Sequence, residues 1–107
     1  MTRAQIFGSD LRGAVLRNVD LSNASLIRVR FEDADLSGAS LAGADLELVP
    51  LRGAILEGAD LTSVRRLRPE SLAEARSLRG TLIDPPLLKE LKRLNPGLYL
   101  RSGFSGE

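Results

Sequence analysis

A large apolar side chain recurs at every fifth position between residues 6 and 61 without a slip: Ile6, Leu11, Leu16, Leu21, Leu26, Phe31, Leu36, Leu41, Leu46, Leu51, Leu56 and Leu61. Two residues before each stands a smaller one, in the order Ala4, Ser9, Ala14, Val19, Ala24, Val29, Ala34, Ala39, Ala44, Val49, Ala54 and Ala59. A period of five matches neither the 3.6 residues of a helical turn nor the two-residue alternation of a strand, so neither element keeps these positions on one inner surface. A solenoid does, because each coil presents the same positions to the same interior.

The runs Ala34-Asp35-Leu36-Ser37-Gly38 and Ala44-Asp45-Leu46 spell out alanine, aspartate, leucine and variable residues. This resembles the pentapeptide-repeat family, and the resemblance covers 60 of the 107 residues. It implies an all-β solenoid, a right-handed quadrilateral β-helix in which four pentapeptides make one square coil. The leucine position and the small residue two before it point inward. Residues 4–63 then supply about three coils, a stub roughly 14 Å long at the ~4.8 Å spacing of paired strands. Leu11, Phe31 and Leu51 stack on one side, Leu21, Leu41 and Leu61 on another. Leu16, Leu36 and Leu56 fill the inward column between them, and Leu26 and Leu46 the fourth.

The last residue of each pentapeptide forms the corner. A type II turn needs positive φ at its third residue, which suits glycine and is tolerated by asparagine or aspartate. Gly8, Gly13, Asn18, Asn23, Asp33, Gly38, Gly43, Gly53 and Gly58 meet that need, whereas Arg28, Leu48 and Ser63 do not. Arg28 and Leu48 stack at one corner beneath Gly8, so a type I-like or irregular turn is expected there.

Outward positions stack every twenty residues. Arg12, Glu32 and Arg52 form a ladder of alternating sign, expected to help fix register. Asp20, Ser40 and Asp60 form another, with neither a histidine nor a cleft to make it catalytic. Apolar residues also face out: Phe7 and Ile27 stack near Leu48, while Val15 and Ile55 flank Asp35. A stacked apolar stripe invites a covering segment or a partner. Ile6, Phe7, Leu11, Ile27, Leu48, Leu87 and Leu91 are the candidate interaction residues.

Beyond Ser63 the repeat is expected to give way to helices. Pro69 and Glu70 suit a helix start, Leu72, Ala75 and Leu78 fall at helical spacing, and Gly80 is a stop. A second helix begins at Asp84 with Pro85 and Pro86, carries Leu87, Leu88, Leu91 and Leu94 on one face, and ends at Asn95-Pro96-Gly97. The chain thus divides into a β-helix over residues 1–63 and a two-helix cap with a frayed tail over residues 64–107. A solenoid needs such a cap because a bare coil edge exposes unpaired backbone groups.

Net charge is +1, yet residues 4–63 hold nine carboxylates against five arginines, while residues 64–107 hold nine basic groups against five acidic ones. The basic tail carries no nucleic-acid motif, and nucleic acid is not the expected partner. Cysteine and histidine are absent, which removes disulfides and thiolate chemistry, and no cofactor, metal or catalytic residue is expected. No apolar run reaches the ~18 residues that span a bilayer, and without a signal-peptide pattern the expected location is cytoplasmic. The expected function is a protein-interaction or structural module. The resemblance implies an alternative, since some family members are acidic dimers that imitate the DNA duplex and act on DNA gyrase. It also implies that a leucine-rich end helix pairs some members, so the two candidate homodimer contacts are that helix and the edge of the first coil.

Overall fold

The computed structural model describes residues 8–94. Ile6, Phe7 and the expected helix end at Asn95-Pro96-Gly97 lie outside them. The chain winds into a four-sided parallel coil in which each side contributes only one or two paired residues, so pairing is registered mostly as single parallel bridges. Asp10 pairs with Arg30, Val15 with Asp35 and Asp35 with Ile55, Asp20 with Ser40 and Ser40 with Asp60, and Ser25 with Asp45. The offset of twenty residues is the coil length read from the sequence.

Three sets of amide bonds hold neighbouring coils, one of them from the corner residue, as from Gly13 to the Glu32 carbonyl at 2.9 Å. The leucine N–H donates forward, as from Leu16 to the Asp35 carbonyl at 2.7 Å, and the residue before the next leucine donates back, as from Asp35 to the Ala14 carbonyl at 2.9 Å. Pro50 has no N–H to donate, and Phe31 reaches the Pro50 carbonyl at a longer 3.3 Å.

The interior is the set of inward columns. Side A stacks Leu11, Phe31 and Leu51; side B Leu16, Leu36 and Leu56; side C Leu21, Leu41 and Leu61; side D Leu26 and Leu46. From Leu21 onward every one of these leucines, and Phe31, is buried. Leu11, Leu16 and Val19, in the first coil, are only partly covered.

All the repeat corners carry positive φ, including Arg28 at 63°, Leu48 at 56° and Ser63 at 59°. The irregular turn expected beneath Gly8 does not occur. The ladder decides it: Gly8 donates to Ile27 at 3.1 Å and Arg28 donates to Glu47 at 3.0 Å. Keeping those bonds outweighs the roughly 1 to 3 kcal/mol that a left-handed non-glycine residue costs.

The coil also runs past Ser63, which corrects both the boundary expected there and the count of three coils. Arg65 pairs with Asp45 and Ser77 with Ile55. Strand β1 (Asp60–Leu61) pairs in parallel with β2 (Leu82–Ile83). The offset grows from twenty to twenty-two because helix α1 (Pro69–Ala73) replaces side A of this fourth coil. Pro69 opens α1. The helix expected as far as Gly80 stops early because the ladder competes for its backbone: Gly53 donates to the Glu74 carbonyl at 3.0 Å and Arg76 to the Ala54 carbonyl at 2.8 Å. Buried Leu72 and Leu78 extend columns A and B.

Helix α2 (Pro85–Leu94) follows, packs against α1, and turns Leu88 and Leu91 inward. Its start is tied to the coil by the Asp84 carboxylate, which accepts the Ser63 amide at 2.8 Å.

Candidate functional site

The outer surface is the candidate site, and its polar groups are largely committed to the coil itself. The aspartate before each leucine accepts the amide N–H of the residue two further on. Asp20 takes that of Ser22 at 3.0 Å, Asp35 that of Ser37 at 3.1 Å, Asp45 that of Glu47 at 3.2 Å and Asp60 that of Thr62 at 2.9 Å. This is the Asx-turn bond, which ties the carboxylate to the corner it precedes. The hydroxyls of Ser22, Ser37 and Thr62 donate to the same carboxylates. Ser22 Oγ also lies 3.0 Å from Ser40 Oγ, which bonds neighbouring coils.

The predicted ladder of Arg12, Glu32 and Arg52 stacks but does not form ion pairs between coils. Arg12 turns back to Asp10 in its own coil at 2.6 Å, and Arg30 turns forward to Glu32 at 2.5 Å. A pair spaced by two shares one side and one short turn, so it closes without stretching across the ladder. The Arg12 side chain, and after it the Arg12 amide, lowers the Asp10 carboxyl from 3.8 to about 2. Glu32 is lowered by Arg30, and Asp35 by the Ser37 hydroxyl and then its amide.

Arg66 occupies the leucine position of side D, yet its φ of 58° swings it outward. There it binds the Asp45 carboxylate at 2.5 Å and Glu47 at 3.1 Å. A guanidinium in the column would be an unpaired buried charge, so turning out is the lower-energy choice. The pair was missed from sequence, although an arginine breaking a column of leucines twenty-one residues after an aspartate is the signal that marks it.

Of the candidate interaction residues that lie among the described ones, Leu48 is the most open, at 52% exposure, and Ile27 beside it is half-buried. Leu11 is part-covered in the first described coil. Leu91 is buried and Leu87 half-buried. Leu88 and Leu91 of α2 therefore pack on their own chain, while Leu94 on the same helix is exposed. Val15 and Leu82 are exposed at 75% and 56%. Leu82 was missed because its outward position follows from the fourth coil, one step beyond Asp60.

A shallow pocket of about 350 Å³ lies between the fourth coil and α2, lined by Val64, Arg66, Leu67, Asp84, Pro85, Pro86 and Leu87. Its two charged groups already hold partners, Arg66 with Asp45 and Asp84 with Ser63. Among the described residues no buried side-chain polar atom lacks a hydrogen-bond partner, and no group of three or more metal-ligating side chains comes together. No helix among them is long and apolar enough to cross a membrane.

The pentapeptide-repeat model matches residues 1–38 and 30–65, with eight copies. The chain belongs to the pentapeptide-repeat family. Two solved forms of QnrB1, described as a plasmid-mediated fluoroquinolone resistance protein, share the fold. One matches at 21% identity and TM-score 0.68 over 84% of this chain and 44% of the other, the second at 23% and 0.61 over 77% and 39%. HetL, a pentapeptide-repeat protein involved in heterocyst differentiation regulation in the cyanobacterium Nostoc sp. strain PCC 7120, matches at 25% identity and TM-score 0.47 over 77% of this chain and 46% of its own. This pentapeptide-repeat chain thus spans less than half the length of each of them, and no curated protein matches it. Its architecture is the right-handed β-helix of that family.

Proposed function

We propose that the chain is a non-enzymatic interaction module, a rigid four-sided post that presents side chains at coil spacing to another protein in the cytoplasm. The observation that carries this reading is the commitment of its outer carboxylates. Asp20, Asp35, Asp45 and Asp60 each hold a backbone amide, so they serve to fix the coil. What remains to meet a partner is a surface of fixed spacing, with Leu48 and Ile27 as its apolar spot.

The second reading, imitation of the DNA duplex toward DNA gyrase, needs an unbroken acidic face. Arg12, Arg30 and Arg66 neutralise Asp10, Glu32, Asp45 and Glu47 along two sides. The QnrB1 likeness, at 21% identity, carries the fold alone. A supercoiling assay with purified gyrase separates the two readings. The module reading expects supercoiling and quinolone inhibition to be unchanged, together with capture of a host protein that Ile27→Asp and Leu48→Asp abolish. Inhibition of gyrase, or protection from quinolone, would overturn it.

A further inference from the structure

The corner of side D carries an open leucine in a conformation that suits glycine. Leu48 stands there in coil three, 52% exposed, with φ of 56°. Glycine takes that conformation without strain, so the exposed leucine side chain does little for the coil. The preceding residue of the same corner column is Arg28 in coil two, exposed and at φ of 63°. Half-buried Ile27 leads into it along side D.

The charges around this spot are unbalanced. Its carboxylates are held within the chain: Arg66 binds Asp45 and Glu47, and Arg30, around the corner, binds Glu32. Arg28 and, one coil beyond Leu48 on side D, Arg65 are exposed and hold no carboxylate among the described residues. The uncompensated groups that bracket the apolar spot are both positive. A surface that covers it has to bring carboxylates to them.

Spacing selects the shape of that surface. Arg28 and Leu48 stack one coil apart, ~4.8 Å. An α-helix laid along the coil axis advances about 5.4 Å per turn and carries side chains i and i+3 or i+4 on one face, so it meets one coil with each turn. A strand in the same direction sets same-side residues about 6.6 Å apart and falls out of step.

We propose that side D of coils two to four docks an amphipathic helix of another protein, aligned with the coil axis. An apolar residue of that helix covers Leu48 and Ile27, and acidic residues a turn to either side bind Arg28 and Arg65. This rests on the interaction-module reading and names the chemistry of its partner.

A phage-displayed library of alanine-based helical peptides, randomised along one face and selected on the full chain, tests it. The recovered peptides are expected to carry an apolar residue with an acidic one a turn away. Leu48→Gly relaxes the corner, so it should weaken their binding at least tenfold without lowering the melting temperature. Arg28→Glu should weaken it as much, and lysine in place of the peptide's acidic residue should restore binding to that variant. Arg79→Glu, at an exposed arginine on side B, should leave binding unchanged. A library that yields no binder, binders that are basic or strand-forming, or binders indifferent to Leu48→Gly overturn the helix site. So does a short DNA duplex, or a second copy detected by light scattering, whose binding is lost with Leu48→Gly. If a host protein is still captured through Ile27 and Leu48, those results leave the module reading intact. Protection of gyrase by a chain that obeys the Leu48→Gly test overturns the module reading and leaves the helix site standing.

Discussion

The guanidinium of Arg66 lies 2.5 Å from the carboxylate of Asp45, and Asp45 is only 2% exposed. Removing the arginine strands a nearly buried carboxylate whose remaining neighbour is the Glu47 amide at 3.2 Å. Because Arg66 itself is 57% exposed, the loss is that of a charge-assisted hydrogen bond rather than of a fully buried ion pair. Arg66→Ala is therefore expected to destabilise the fold by about 1 to 3 kcal/mol. Glu47→Ala, which removes the more exposed pair, should cost under about 1 kcal/mol. Urea midpoints of the two variants check the order, and equal midpoints would contradict it.

The corner beneath Gly8 offers a second test. Arg28 and Leu48 hold φ of 63° and 56°. Glycine there relieves left-handed strain but adds freedom to the unfolded chain, so Arg28→Gly or Leu48→Gly should be neutral to stabilising by about 1 kcal/mol. The reverse change discriminates between corners. A methyl group at Gly43 overlaps Asn23 Oδ1, whereas one at Gly58 meets nothing closer than the Gly38 amide nitrogen at 3.9 Å. Gly43→Ala should lower the melting temperature more than Gly58→Ala, since only the first adds a clash to the strain.

These corners also show where sequence reading holds and where it fails. The inward columns were legible because burial acts on side-chain type alone: Leu21 to Leu61, at spacing five, are buried as the period requires. Corner conformation was misread at Arg28 and Leu48 because residue preference is local, while the ladder that holds them is not. The pairing of Arg12 was misread for the opposite reason. Stacking brings it beside Glu32, but a flexible side chain takes the nearer Asp10. The fourth coil escaped notice because α1 adds two residues and Arg66 interrupts a leucine column. Ser77-Leu78-Arg79-Gly80 still carries the leucine and corner glycine of the repeat, and Gly80, with φ of 71°, stacks on Gly58.

The middle of the core should resist change in both directions. Ala39 and Leu41 are each 1% exposed. Enlarging the inward alanine forces coil backbone apart, so Ala39→Leu should cost about 1 to 3 kcal/mol or more. Leu41→Ala leaves a cavity between Leu21 and Leu61 and should cost about 2 to 5 kcal/mol. A denaturant midpoint at the parent value for either variant would contradict the inward assignment.

The extent of the coil predicts how the chain tolerates shortening. Ending it at Ser63 removes Arg65, Ser77 and Leu82, the partners of Asp45, Ile55 and Asp60, and leaves the columns of coil three open at their ends. Such a chain should aggregate. Ending it at Asp84 keeps the fourth coil with Leu72 and Leu78 and removes α2 and the residues after it, so it should keep the far-ultraviolet spectrum of the coil at a lower melting temperature. Light scattering and circular dichroism on the two fragments test this, and a monomeric chain ending at Ser63 with the full β signal would refute it.

Acid should loosen side A of the first coil in a defined window. Arg12 donates through its Nε and a terminal nitrogen to Asp10 at 2.8 and 2.6 Å, and through its amide at 3.2 Å. These bonds favour the carboxylate and lower its pKa from 3.8 to about 2. A group whose folded pKa is depressed stabilises the fold above its unfolded value and loses that contribution as pH falls through the folded one. The contribution of Asp10 is thus complete above about pH 4 and gone below about pH 2. Arg12→Ala removes the side-chain donors and keeps the amide, so the Asp10 titration should move up toward the ordinary aspartate value without fully reaching it. Carboxylate chemical shifts followed by NMR give the midpoint directly. The difference in melting temperature between the parent and Arg12→Ala should be largest near neutral pH and shrink through that window, and an Asp10 that titrates at its ordinary value in the parent chain would show that the bond to Arg12 is not formed in solution.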